Sequence, residues 1–107
     1  MASGRLAAVN PTSLTQTTVY TVPAANFTVL TINVYNQGSS STTVDLSVVD
    51  TSSTAPALKD YIERATVLPP GAQIERTGIV LSAGQTIKVY VSGASVAVAS
   101  WGIETEV

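Results

Sequence analysis

The sequence predicts an all-β fold: a single-domain antiparallel β-sandwich, jelly-roll or immunoglobulin-like, built of seven to eight short strands. Three observations predict it. Apolar residues recur at every second position through much of the chain, which is the period of a half-buried strand. Turn-forming clusters punctuate the chain at intervals of about 8–12 residues, as in sandwiches and small barrels. The composition leans on Val and Thr, whose branched side chains fit a pleated surface, and no long window carries a helical period.

With 107 residues the chain supports one domain. Residues 1–15 read as an N-terminal arm and 16–107 as the sandwich. In the arm, Leu6, Ala7, Ala8 and Val9 form a short strand segment before the Asn10-Pro11-Thr12-Ser13 turn signal. Residues 16–22 read as a strand that stops at Pro23. Residues 27–36 give the clearest strand, with Leu30, Ile32 and Val34 on one face and Thr31, Asn33 and Tyr35 on the other. After the polar cluster 37–41 comes a strand over 43–50, with Val44, Leu46 and Val48 inward. The two strands are expected to pair as a hairpin across that cluster.

Residues 51–58 are the longest irregular stretch, and a short helical turn near 56–60 is compatible with them. A β pattern resumes over 61–68. In the strand at 73–81, Ile74 and Ile79 cannot share a face under strict alternation, so Gly78 between them predicts a bulge. The next strand has Ile87, Val89 and Val91 on one face and Thr86, Lys88 and Tyr90 on the other. The last spans 96–104. Trp101 is expected in the core there, and Gly102 is expected to bend the strand.

Composition narrows the chemistry. Without cysteine the chain has no disulfide or thiolate metal site, and without histidine it lacks the commonest general base and metal ligand. Charged residues make up 11%, less than half the roughly 25% of average domains. The net charge is −2 and the cations Arg5, Lys59, Arg64, Arg76 and Lys88 are scattered, so no basic stripe exists for nucleic acid. No apolar run is long enough to cross a bilayer, and the N-terminal segment lacks the apolar stretch of a secretory signal. Phosphate loops, nucleophile elbows and dinucleotide fingerprints are missing, so no cofactor is expected. Asp60, Glu63 and Glu75 are the nearest approach to a carboxylate pair for acid–base work. Asp45, Asp50 and Asp60 lack the spacing of a calcium loop. Solvated strand-end carboxylates account for both sets, and the chain does not read as an enzyme.

The remaining signals concern contacts. Glu63-Arg64 and Glu75-Arg76 flank the Pro69-Pro70-Gly71 turn. Paired across that turn, they form either a register lock at the sheet surface or an inter-subunit salt bridge. Tyr35 and Tyr90 lie opposite the apolar faces of their strands, where they serve either core-edge packing or an interface. Leu6 and Val9 give the arm the means to add a strand to a neighbour's sheet edge. The candidate interface residues are therefore Leu6, Val9, Tyr35, Glu63, Arg64, Glu75, Arg76 and Tyr90.

A series of segments carries a resemblance. Thr18-Val19-Tyr20-Thr21-Val22-Pro23-Ala24 is followed by Ile32-Asn33-Val34-Tyr35-Asn36 and a Ser/Thr-rich turn. Then come Asp60-Tyr61-Ile62-Glu63, the run from Glu75 to Gly84, and the ending from Val96 to Glu104. In this order, across about residues 16–104, they resemble small β-sandwich structural proteins of tailed-bacteriophage particles. The resemblance implies a virion component assembled in the host cytoplasm. Its role is either a capsid decoration protein, bridging major capsid subunits and copies of itself, or a tail, neck or baseplate module. No catalytic residues come with it. A glycan-binding module using Tyr35 and Tyr90 is the alternative from the residues themselves.

Overall fold

The computed structural model describes residues 3–107 and contains eight strands and one 3-10 turn. The strands are β1 (Ser3–Val9), β2 (Thr17–Thr21), β3 (Asn26–Asn36), β4 (Thr42–Val49), β5 (Tyr61–Leu68), β6 (Gln73–Ser82), β7 (Thr86–Val91) and β8 (Val96–Glu106). They form two four-stranded antiparallel sheets, β1-β8-β3-β6 and β2-β7-β4-β5, here called sheets A and B. The fold is a β-sandwich, as the alternation predicts.

The pairing defines the type of sandwich. β1 pairs with β8, β2 with β7, β3 with β6 and β4 with β5. That nesting is one long antiparallel ribbon, doubled back at the β4–β5 connection and rolled up. The β3–β8 and β4–β7 ladders stitch the roll into two sheets. This is the jelly roll, which resolves the choice between jelly-roll and immunoglobulin-like topologies.

The core lies between the sheets. Leu30, Ile32 and Val34 of β3 and Ile87, Val89 and Val91 of β7 are its centre, with Val44, Leu46, Val96, Val98 and Leu81 around them. These are the inward sets that period-2 alternation assigns. Ile74 and Ile79 both pack against this cluster. They share a face because β6 carries the bulge expected at Gly78: Leu30 pairs with Ile79 but Ile32 with Arg76, and Gly78 has φ +69°. The extra residue resets the phase of the strand.

Several expectations change. β3 and β4 do not form a hairpin; they lie in different sheets, and the 37–41 segment crosses from one to the other. Asn36 makes the crossing. Its buried side chain donates to Ser40 O (2.8 Å) and Leu68 O (2.9 Å) and accepts from Gly38 N (2.9 Å). Its backbone bonds the other crossing loop, with Asn36 N to Ala72 O at 3.0 Å and Gly71 N to Asn36 O at 2.9 Å. One asparagine thus ties the β3–β4 and β5–β6 connections together at that end of the sandwich.

Trp101 is not in the core. Val96, Val98 and Ser100 are buried, so strict alternation turns Trp101 outward, where it is 43% exposed. Gly102 does not bend β8, whose register with β3 continues without a shift from Asn26↔Glu106 to Asn36↔Val96. A side chain there has no room: a β-carbon would sit 2.1 Å from Val29 O and 2.8 Å from Leu30 Cα. The arm is, over Ser3–Val9, an edge strand of the domain's own sheet A. It is held because Leu6, Ala7 and Val9 pack on the core.

The 3-10 turn falls at Leu58–Asp60, within the stretch where a helical turn was compatible. Asp60 accepts from Ala57 N at 2.8 Å and from Lys59 at 2.9 Å, and these contacts lower its carboxyl pKa. β5 carries a second bulge at Ala65, held at φ +51° while its N–H donates to Asp45 Oδ1 at 2.7 Å. A non-glycine residue in the left-handed region costs about 1 kcal/mol or more. Ala65→Gly is therefore expected to raise stability by about 1 kcal/mol, read as a higher urea midpoint with an unchanged slope.

Candidate functional site: the outer face of sheet A

The two outer faces of the sandwich differ. On sheet B, Ser47, Val49, Thr86 and Lys88 face away from the core yet are buried. The 51–60 segment closes over them, and Lys88 reaches Thr54 O at 3.0 Å. This explains how a lysine sits at the middle of a central strand: its charge is spent on a backbone carbonyl and its stem on apolar contact.

Among the described residues, no segment covers sheet A in that way. The cross-strand row Ser3–Ile103–Val29–Val80 runs over all four strands. In it Ile103 is 56%, Val29 41% and Val80 65% exposed. The adjacent row is Arg5–Trp101–Thr31, and half-buried Phe27 lies one row beyond on the other side, opposite Thr105 and Ser82. Directly neighbouring exposed apolar residues on one sheet face make a contiguous patch, a kind of surface that proteins commonly use for contacts. Aromatic residues with few charges are the composition of an interface core. Arg5 and Glu75 stand at opposite margins of the patch, on the two edge strands, and neither has an ion-pair partner among the described residues.

The residues singled out in the sequence distribute as follows. Tyr35 and Glu75 lie on this face, and Tyr35 sits opposite Ala97 and Gln73. Tyr90 is on the outer face of sheet B, opposite Asp45. The two tyrosines therefore sit on opposite sides of the molecule and cannot form one stacking platform. Leu6 and Val9 are half-buried against the core. Glu63 and Arg76 do meet, but not across a hairpin: β5 and β6 belong to different sheets, and the ion pair bridges the open edge between them. Thr66 also donates to Glu63, at 2.7 Å. Arg64 instead lies over the Tyr61 ring, 4.8 Å from its centroid.

The carboxylates do not converge. Asp45 holds the Ala65 bulge, Asp60 closes the 3-10 turn, Asp50 receives Gln85 Nε2 at 3.4 Å, and Glu63 pairs with Arg76. Among the described residues no group of three or more acidic side chains is placed to hold a metal ion. A shallow cleft of about 220 Å³ between the 38–41 and 93–95 loops is lined by Gly, Ser and Ala, with no acid, base or aromatic ring.

One polar cluster is internal. Tyr20 donates to the buried Glu104 carboxylate, and Thr28 lies 3.0 Å from the same phenolic oxygen. Alternation foretells it: Thr28 continues the Leu30–Ile32–Val34 face and Glu104 the Val96–Val98–Ser100 face. Burial, then the bond to Glu104, pushes the Tyr20 pKa up to about 12. Folded Tyr20 keeps its proton where the unfolded chain has lost it. Stability is thus full below the unfolded value of 10.0 and falls as pH rises toward about 12, by at most about 3 kcal/mol in all. Denaturant midpoints measured across that window are expected to drop in the wild type. Tyr20→Phe is expected to flatten the drop, and to cost about 1 kcal/mol at neutral pH by removing the hydrogen bond to Glu104.

Comparison with known proteins finds no matching family model, no matching curated protein and no matching solved structure.

Proposed function

We propose that this chain is a structural protein of a tailed-phage particle, acting as a capsid decoration protein that stabilises the shell by adhesion. The observation that carries the reading is the bare apolar face of sheet A on a jelly roll in which Asp45, Asp60 and Glu63 are held by contacts within the fold. Such a molecule works through its surfaces. The jelly roll is an architecture that capsid proteins use, and the ordered resemblance of segments from Thr18 to Glu104 points to the same class. Burying the Val29–Val80–Ile103–Trp101 patch against a shell subunit or a second copy of the chain supplies the hydrophobic driving force for assembly.

The test is co-sedimentation of the purified chain with phage shells that lack it, followed by heating of the shells. Binding with a raised disruption temperature supports decoration. Failure to bind shells, with binding to isolated tails or baseplates instead, would assign it to a tail module. The glycan-binding alternative loses its platform, because Tyr35 and Tyr90 face opposite ways.

A further inference from the structure

We propose that the outer face of sheet A is covered by a second copy of this chain, in a two-fold face-to-face dimer, and that Arg5 of each copy pairs with Glu75 of the other. This deepens the structural-protein reading by naming the occupant of its principal surface.

The argument begins with charge. The face carries a cation at one margin and an anion at the other: Arg5 on edge strand β1 and Glu75 on edge strand β6. Arg5 pairs in register with Trp101, and Trp101 with Thr31; Glu75 pairs with Asn33, two residues further along β3. A two-fold axis running along the strands, between β8 and β3, exchanges β1 with β6 and β8 with β3. It therefore lays each Arg5 over the partner's β6 margin, one cross-strand row from Glu75. Two sheets packed face to face lie about 10 Å apart, a gap that an arginine and a glutamate extended toward each other can span. Both charges lack ion-pair partners among the described residues, and the symmetry satisfies both at once. An isologous interface requires this kind of self-complementarity.

The same operation matches the apolar groups. Ile103 of one copy comes over Val29 of the other, and both are exposed in the monomer. Each Trp101 comes over the partner's Thr31, in the row beside them.

Area is the second argument. Four strands at about 4.8 Å spacing and eleven residues at about 3.4 Å rise give a face of roughly 700 Å². Two such faces bury roughly 1,400 Å², within the range of stable specific interfaces. Sheet B offers no comparable face, because the 51–60 segment occupies it. The dimer leaves the β5–β6 edge free to meet the particle.

The experiment is sedimentation equilibrium of the full-length chain over a concentration series. The wild type is expected to be a dimer. Arg5→Glu sets like charges together at two symmetric places and is expected to weaken the dimer about tenfold or more. Combining it with Glu75→Arg restores opposite charges and is expected to recover wild-type affinity. Both positions are exposed, so folding is not at stake, and circular dichroism verifies it. Val29→Asp, at the centre, is expected to give monomers. A wild type that stays monomeric throughout, or a dimer indifferent to Val29→Asp and to both charge variants, overturns the proposal. The outcome is separable from the particle reading: a monomer that still binds shells refutes the dimer alone, and a dimer that binds no particle refutes the particle assignment alone.

Discussion

Gly102→Ala is expected to destabilise the domain by about 3 kcal/mol, a large share of the stability of a domain this size. Gly102 lies in the middle of β8, between β1 and β3, paired with Gly4 on one side and Leu30 on the other. A methyl group there would meet Val29 O at 2.1 Å and Leu30 Cα at 2.8 Å. Both obstacles are backbone, so no rotamer change relieves them. The strand must move away from β3, and the β3–β8 ladder is the longest in the molecule. Urea denaturation of Gly102→Ala beside Gly38→Ala tests the claim. A β-carbon at Gly38 meets the Asn36 Oδ1 at 3.3 Å, a contact tight by only a few tenths of an ångström, and the cost there is expected to be much smaller.

Asn36→Ala is expected to cost about 3 kcal/mol, because it breaks three hydrogen bonds at a buried corner. The substitution strands Leu68 O, Ser40 O and Gly38 N together. These groups belong to the end of β5 and the β3–β4 crossing, so the loss falls on the junction of the two sheets rather than on one strand. Asn36→Asp is the informative companion. It keeps the acceptor for Gly38 N but replaces the amide donor with an oxygen facing two carbonyls. It is expected to be at least as damaging as alanine. Thermal unfolding of both variants provides the measurement.

Much of the architecture is legible in the alternation. The inward faces of β3, β7 and β8 follow from Leu30–Ile32–Val34, Ile87–Val89–Val91 and Val96–Val98, and the bulge at Gly78 follows from the phase conflict between Ile74 and Ile79. The sheet to which a strand belongs is not legible. Period 2 assigns a face but no partner, so β3 and β4 read as a hairpin when the buried Asn36 in fact turns the chain across the sandwich. The same ambiguity made Glu63 and Arg76 a hairpin pair, whereas they close the edge between sheets.

The candidate surface was legible only in part. Tyr35 and Glu75 were recognised from the sequence, but Val29, Val80, Trp101 and Ile103 were not, because single apolar residues on a strand read as core. The signal was present for β8: continuing Val96–Val98 through Ser100 puts Trp101 and Ile103 outside. Val80 could not be placed without the bulge at Gly78, and Val29 becomes part of a patch only when β6 and β8 flank β3. Tyr90 failed as a partner for Tyr35 for the same reason that the hairpin failed, since strands with similar patterns lie in opposite sheets.

The measurement that bears most directly on the structural-protein reading is a cryo-EM reconstruction of a phage particle carrying this chain. The account predicts jelly-roll density in a regular lattice over the capsid, with the outer face of sheet A buried against a protein neighbour. Particles with no density for the chain, or density in which the Val29–Val80–Ile103–Trp101 face stays open to solvent, would contradict it.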